Sequence, residues 1–497
     1  MLEFFSLCQE YACLKITSGQ LKFEFLNLTH SYKENEIDWN FQGHGRLWNY
    51  NLQYLDFLRQ TDIDVDTKLA LLNDIYDKLW IGELSLEPYP ASLRIMNVIR
   101  FLSVAGRDTN KKLEGQLAAE VNYLSKNLEY HILGNHFLEN GFALLMGGHY
   151  FGEKKWIDKA EKLLYKQLEE QVLEDGAHFE LSPMYHRIIL FRVLEAIGYV
   201  LHNSKLRLFL EAKASLMLTW MVNMAFEDGK LPHFNDSTED IAFSYKELLT
   251  FAGNLGIQSK AGISLGQSGY RRLRSSGIDL IMDVNGIAPT YQPGHAHADT
   301  LSFVMYANGK PIIVDPGIST YNISKTRDWE RSTNAHNTVE IDGESSSEVW
   351  GGFRIGRRPK VDILHDAHKK VIGRHNGYKK IKGVMVERSI KCMVSGIEIS
   401  DKIIGNVKQR GQAVAHLHFD PSCKVLGLHK KNTFKLNDEC DLEIGGDVDV
   451  RLELYGYCLG YNKVVESKRL KITLKNQECK MTFHNRIKAA GENPIFN

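Results

Sequence analysis

The apolar pattern of this chain changes period once, near residue 260, and that change restricts the folds open to it. From Leu47 to about Gly256, apolar residues recur mostly at spacings of three and four: Leu52, Leu55 and Leu58, then Leu69, Leu72, Ile75 and Leu79, then Leu93, Ile95, Met96 and Ile99. Similar segments follow at 115–130, 136–150, 155–173, 184–202, 205–226 and 243–255. Serial amphipathic helices joined by short loops predict stacked helical hairpins, in a curved array or toroid with a groove on one side. After Gly262 the runs are short and β-type, at 278–284, 301–307, 312–314, 338–341, 397–404, 413–419, 448–454 and 470–473, with Gly, Asn and Asp between them. That rhythm predicts an antiparallel β-sandwich. Residues 1–45 hold one candidate strand, 23–28. The predicted organisation is an N-terminal extension over 1–45, a helical domain over 46–260 and an all-β domain over 261–497, more than one core because 497 residues exceed what one normally supports.

Charge excludes some function classes. The 61 basic and 61 acidic residues balance, so a general nucleic-acid binder is not expected and any anionic ligand must be drawn by a local patch. Seven cysteines, an odd number without a C-x-x-C pair, predict a reduced compartment with neither disulfide framework nor zinc knuckle. No apolar run is long enough to span a membrane, and the first ten residues lack a basic n-region. The expectation is a soluble cytoplasmic protein, monomer or homodimer.

The richest stretch is Gly294-His295-Ala296-His297-Ala298-Asp299, which runs into a predicted hairpin: a strand to Ala307, an Asn308-Gly309 turn, and a return over Pro311 to Val314. If Ala307 faces Lys310, then Asp315 faces Ser302 and lies at the same end as the histidines. His336, at the start of a further alternating strand, supplies a third imidazole. Two histidines and a carboxylate from separate loops could close around a divalent metal such as zinc. Of His295 and His297, one is expected to point at a substrate and the other into the fold.

In the helical half, Asn135 is a candidate cap, and His136, Glu139 and Asn140 share one face of an apolar helix, which is costly unless they are paired or functional. Ser182 and Pro183 are favourable N-cap and first-turn residues and place Tyr185 in the first turn. The positive end of that helix dipole is expected to ease loss of the phenolic proton, as a general acid or base requires. The turn at 228–236 carries several polar groups and is expected to line the same groove. Trp350 and Arg354, with Arg357 and Arg358, could offer stacking and cations to an acidic sugar.

Together these pieces resemble the heparinase II/III-like polysaccharide lyases, which pair an incomplete (α/α) toroid with an antiparallel β-sandwich. The resemblance runs from Leu47-Trp48-Asn49-Tyr50-Asn51-Leu52 through Glu87-Pro88-Tyr89, Asn135-His136, Ser182-Pro183-Met184-Tyr185-His186, His295-Ala296-His297-Ala298-Asp299, Val314-Asp315-Pro316-Gly317 and Arg331-Ser332-Thr333 to Ala335-His336-Asn337-Thr338. It implies β-elimination in a uronic-acid-containing glycan, either heparan sulfate-like or a bacterial capsule or exopolysaccharide. By the same resemblance, Asn135 and His136, helped by Glu139 if protonated, contact the uronate carboxylate; Tyr185 is the acid, and also the base where proton and leaving group lie on the same face; His295 is the base for the opposite epimer; and His297, Asp315 and His336 hold a structural zinc. Two other readings use the same residues: a glycan-binding or assembly protein without turnover, and a metal-dependent hydrolase.

Overall fold

The computed structural model describes residues 12–17, 19–34, 36–105, 111–405 and 412–486. The chain combines a helical domain with antiparallel sheets. It begins with a three-stranded antiparallel sheet, β1 (Leu14–Thr17), β2 (Gln20–Phe25) and β3 (Leu28–Lys33). The run at 23–28 is thus a strand end and a turn rather than one strand: Leu26 and Asn27 both take positive φ, 55° and 59°. In β2 the alternate residues Leu21, Phe23 and Phe25 are buried, and Phe25 meets Trp48 edge-on at 5.3 Å. This sheet shares its core with the helices that follow.

Those helices are α1 (Arg46–Tyr54), α2 (Val65–Trp80), α3 (Pro88–Ala105), α4 (Lys111–Lys126), α5 (Gly134–Phe151), α6 (Lys154–Gln171), α7 (Pro183–Tyr199), α8 (Lys205–Met224) and α9 (Tyr245–Asn254). They alternate between two layers: α1, α3, α5, α7 and α9 pack in succession, while α2 meets α4 and α6 meets α8 on the other side. Burial follows sequence. In α5 and α7, Phe137, Leu138, Phe142, Leu190 and Leu194 are all buried, whereas α6 has the charged face of a helix with one side in solvent.

After the helices, strands resume at Tyr270. The first sheet joins Tyr270–Ser275, Ile278–Asp283, Phe303–Ala307 and Lys310–Ile313 in sequence order. Both its faces are covered. Ile281, Val304 and Tyr306 enter the helical core, and Leu280, Met282, Phe303 and Met305 enter the β core. A second sheet runs Val448–Gly460, Lys463–Leu474, Ala413–His418, Val339–Ile341, and an isolated bridge between Ile313 and Phe419 ties it to the first. The eight-stranded third sheet contributes Val386, Ile390 and Ile399 to the same core.

The Asn308-Gly309 hairpin forms, with φ of 49° and 74° at the two turn residues and Ala307 opposite Lys310. A bulge then shifts the pairing so that Met305 faces Ile313, and the expected register of Asp315 with Ser302 does not carry through. Among the described residues, no helix is long and apolar enough to cross a membrane, and the six described cysteines are free. Cys8 lies outside the described residues.

Candidate active site

Asn135, Tyr185 and His295 converge from α5, α7 and the loop before the Asn308-Gly309 hairpin. Helix α5 starts at Gly134 with its N-cap at Leu133, so Asn135 is not the cap but sits inside the first turn. Its backbone N–H donates to Glu180 Oε1 at 3.1 Å and its Nδ2 to Glu180 Oε2 at 3.0 Å, while Nδ2 also lies 3.4 Å from His295 Nε2. Asn135 Oδ1 is buried without a partner. Glu180 is itself buried. Burial favours its neutral form, but His178, His295 and the Asn135 N–H groups prevail and hold it below the ordinary carboxylate value. Gly134 takes φ +57°, and a Cβ there would come 2.3 Å from Glu180 Oε1, so glycine permits this approach.

Ser182 caps α7 by accepting from the Tyr185 N–H at 3.2 Å, as its sequence position predicts. The tyrosine ring lies 4.0 Å from the His295 ring, and its hydroxyl is 3.0 Å from that of Tyr321. The dipole expectation needs correction, because burial pushes the Tyr185 phenol well above the ordinary value. Desolvation of the phenolate outweighs the helix terminus, and the resting residue is a protonated donor.

The two loop histidines diverge in exposure but share an anchor. His295 Nδ1 pairs with Asp236 Oδ2 at 2.9 Å and His297 Nε2 with Asp236 Oδ1 at 2.8 Å; their side chains are 12% and 0% exposed. The His295 contact fixes the ring so that Nε2 faces Asn135. Arg327, from the short helix α10 (Lys325–Glu330), donates to both Asp236 oxygens at 2.5 and 2.8 Å. Burial alone would raise the Asp236 pKa, but Arg327 and the two histidines hold the carboxyl well below its ordinary value. Asp236, Arg327 and Tyr321 were not singled out as site residues by sequence. The only signal was the polar turn at 228–236.

The remaining candidates lie apart from this cluster. His136 pairs with Glu129 Oε1 at 3.2 Å and stacks on Tyr89 at 4.0 Å, at the edge of the site. Glu139 is fully buried and its carboxylate is engaged by Arg192 at 2.8 and 3.0 Å, so it does not face Asn135. Burial is the main influence raising its pKa. Trp350 and Arg354 are exposed cross-strand partners on a two-stranded ribbon, Glu348–Trp350 with Arg354–Gly356. It is Phe353, in the turn of that ribbon, that approaches His295, at 6.1 Å between ring centroids.

For a metal, the donor chemistry suits zinc but the closure is incomplete. His336 Nδ1 pairs with Asp315 Oδ2 at 2.7 Å, and the His336 and His297 rings are 5.2 Å apart. His297 Nδ1 and His336 Nε2 are buried without partners. Among the described residues, no group of three or more His, Cys, Asp or Glu side chains is arranged to hold an ion. Burial pushes His297 down to about 3, whereas Asp315 raises His336 against the opposing effect of burial.

Comparison with known proteins places this geometry in a family. Residues 112–253 match the family model for the heparinase II/III N-terminus, and residues 257–486 match that for the heparinase II/III-like C-terminal region. The chain belongs to the heparinase II/III-like family. Among curated relatives, a heparin-sulfate lyase of Pedobacter heparinus is 26% identical over 256 residues, which are 46% of this chain and 38% of the relative. The chain therefore matches well under half the length of that protein. Among solved structures, heparinase III superposes with a TM-score of 0.69 at 15% identity, covering 91% of this chain and 80% of that one. A heparan sulfate lyase HepC mutant from Pedobacter heparinus gives 0.63 at 17% identity, covering 94% and 82%. At these identities the likeness establishes a shared fold.

Proposed function

We propose that this chain is a polysaccharide lyase that cleaves a uronic-acid-containing glycan by β-elimination. The observation that carries the reading is the meeting of Asn135, Tyr185 and His295 within hydrogen-bonding or ring-contact distance. The alternating helix layers support an incomplete (α/α) toroid, and the sheets sharing one core support a β-sandwich behind the site.

Each residue has one task. A uronate C5 proton becomes removable only when the neighbouring carboxylate is neutralised. Asn135 offers one unpartnered acceptor, Oδ1, and one N–H now pointed weakly at His295, which together match a carboxyl group in its neutral form. His136, at the edge, supplies a further donor. The base takes the C5 proton: His295 through Nε2, its other nitrogen held by Asp236. The C4–O4 bond breaks, its electrons leave with O4, and the former C5–H pair becomes the C4–C5 double bond. Tyr185, held protonated by burial, donates its proton to the departing O4. Tyr321 sits where its hydroxyl can steady the Tyr185 oxygen.

A divalent ion between His297, Asp315 and His336 belongs to the same proposal as a structural element. A ligating histidine usually has its second nitrogen held by a carboxylate, and Asp236 holds His297 Nε2 while Nδ1 stays free. Such an ion would tie the loop to the hairpin by its fixed charge, and no proton need pass through it.

The test is product mass. With a polyuronide panel of heparan sulfate, heparin, hyaluronan, chondroitin, alginate and bacterial capsule, elimination gives fragments whose masses sum to that of the substrate. Hydrolysis adds one water per cut, and that result would overturn the reading.

A further inference from the structure

We propose that the cleft is blind beyond Tyr185, so that the protein removes short fragments from the non-reducing end of its glycan. This rests on the lyase reading and adds a direction and a mode of cutting to it.

The site has an order. Asn135 lies beside His295, His295 lies against Tyr185, the Tyr185 hydroxyl meets that of Tyr321, and the Tyr321 ring meets Tyr461 edge-on at 5.3 Å. β-Elimination fixes the sugar against that order. The carboxyl of the uronate that becomes unsaturated sits at Asn135, and its O4, with the sugar that leaves, sits at Tyr185. The leaving, non-reducing portion must therefore extend towards Tyr321 and Tyr461.

That direction is walled off by the N-terminal sheet. Asn27 Nδ2 donates to the Tyr461 carbonyl at 2.9 Å, and Asn462 Nδ2 donates to the Leu26 carbonyl at 3.0 Å. These reciprocal bonds fasten the β2–β3 turn onto the turn that carries Tyr461. Nearby, Gly45 at the start of α1 comes so close to Asn322, the neighbour of Tyr321, that a Cβ would lie 2.5 Å from its Oδ1. The wall is anchored from behind, because Phe23, Phe25 and Trp48 are buried in the helical core. A polymer threading past Tyr185 would have to displace these contacts, whereas a chain terminus stops against the Tyr321 and Tyr461 rings. The partly exposed Tyr321 ring, with Tyr461 buried behind it, suits a sugar's apolar C–H surface.

In the first round the saturated terminal fragment leaves with the proton from Tyr185, and the remaining chain keeps the new double bond at its non-reducing end. Later rounds release unsaturated fragments, so absorbance accumulates while the polymer shortens slowly.

The experiment uses the full chain and oligosaccharides of heparan sulfate, hyaluronan, chondroitin and alginate carrying a fluorescent tag at the reducing end. Products are resolved by size over time, with ultraviolet absorbance followed in parallel. The expected result is a tag that stays on the longest species and steps down one repeat at a time as absorbance rises. Tagged mid-length fragments in the first turnovers, or a tag released first in a short piece, would overturn the proposal while leaving the lyase reading intact. No absorbance with any substrate would overturn both. Deleting the sheet would unpick the core, so Asn27→Ala with Asn462→Ala is the informative variant. Its tagged mid-length products should rise several-fold as the wall loosens. An unchanged ladder would remove the sheet as the barrier.

Discussion

Asp236→Asn should damage stability and turnover together, by amounts that follow from its partners. The carboxylate and Arg327 are both 0% exposed in their side chains, and among the described residues the guanidinium's only other hydrogen bond is from Nε to the Gly352 carbonyl at 3.1 Å. Removing one member of a buried ion pair costs about 3–5 kcal/mol, because the remaining charge is left uncompensated. Asparagine keeps the shape and one acceptor, which argues for the lower end, about 3 kcal/mol. The Asp236 carboxyl is depressed in the folded state, so its contribution is present above the ordinary carboxylate range and fades as pH falls through the depressed value. The cost should therefore be steady across neutral pH and shrink only in acid. Catalysis suffers separately: His295 loses the acceptor that aims Nε2, and a misplaced general base forfeits on the order of 10²-fold or more in kcat. KM should change far less, since Asn135 and Tyr185 do not touch Asp236. Urea unfolding followed by tryptophan fluorescence reads the first effect, and initial rates read the second. Adding Arg327→Met removes the orphaned charge, so the double variant should be less destabilised than the sum of the singles. A single-variant cost below about 1 kcal/mol, or a double variant that is simply additive, would refute the buried-pair argument.

Other outcomes follow from neighbouring contacts. Gly134→Ala adds a Cβ that collides with Glu180 at a positive φ; the backbone strain alone is about 1–2 kcal/mol, and activity should fall as Asn135 is displaced. Wild-type activity in that variant would count against the role of Asn135. Glu239, held at about 2 against burial by His233 and Arg187, contributes stability above its ordinary value near 4.5 that is lost as pH falls towards 2. Thermal melts of Glu239→Gln against wild type should differ at neutral pH and converge in acid, and a difference that persists in acid would be the wrong sign. Elemental analysis after zinc loading should find one ion per chain in the wild type and little in His297→Ala, with a lower melting temperature for the variant. Equal zinc in both would dismiss His297 as a ligand.

Much of the architecture is legible because burial follows periodicity. The spacings of three and four mark the helices up to Asn254, and the short β runs mark several strands after it. The strand Val384–Met393 escaped because its inward row, Val384, Val386, Arg388, Ile390, is interrupted by a charge. Arg388 is buried because Asp401, opposite it on the next strand, pairs with it at 2.7 Å and the Leu301 and Asn337 carbonyls accept from its Nη1, and no pattern along one strand reveals those partners. The site divides the same way. Tyr185 announces itself through Ser182-Pro183 and His295 through its loop, but Asp236 lies 59 residues before His295 and 91 before Arg327. Their convergence comes from tertiary packing alone. Glu139 shares a helix face with His136 in sequence, yet Arg192, 53 residues further on, claims its carboxylate.

The most direct measurement is ultraviolet absorbance during incubation of the full chain, and of Tyr185→Phe, with the polyuronide panel. The account predicts rising absorbance from the conjugated C4–C5 double bond with at least one glycan for the wild type. In Tyr185→Phe the rise should disappear while binding and folding persist, since among the described residues only one hydroxyl contact, to Tyr321, is removed. Near-normal rates in Tyr185→Phe, or new reducing ends without absorbance in the wild type, would contradict it.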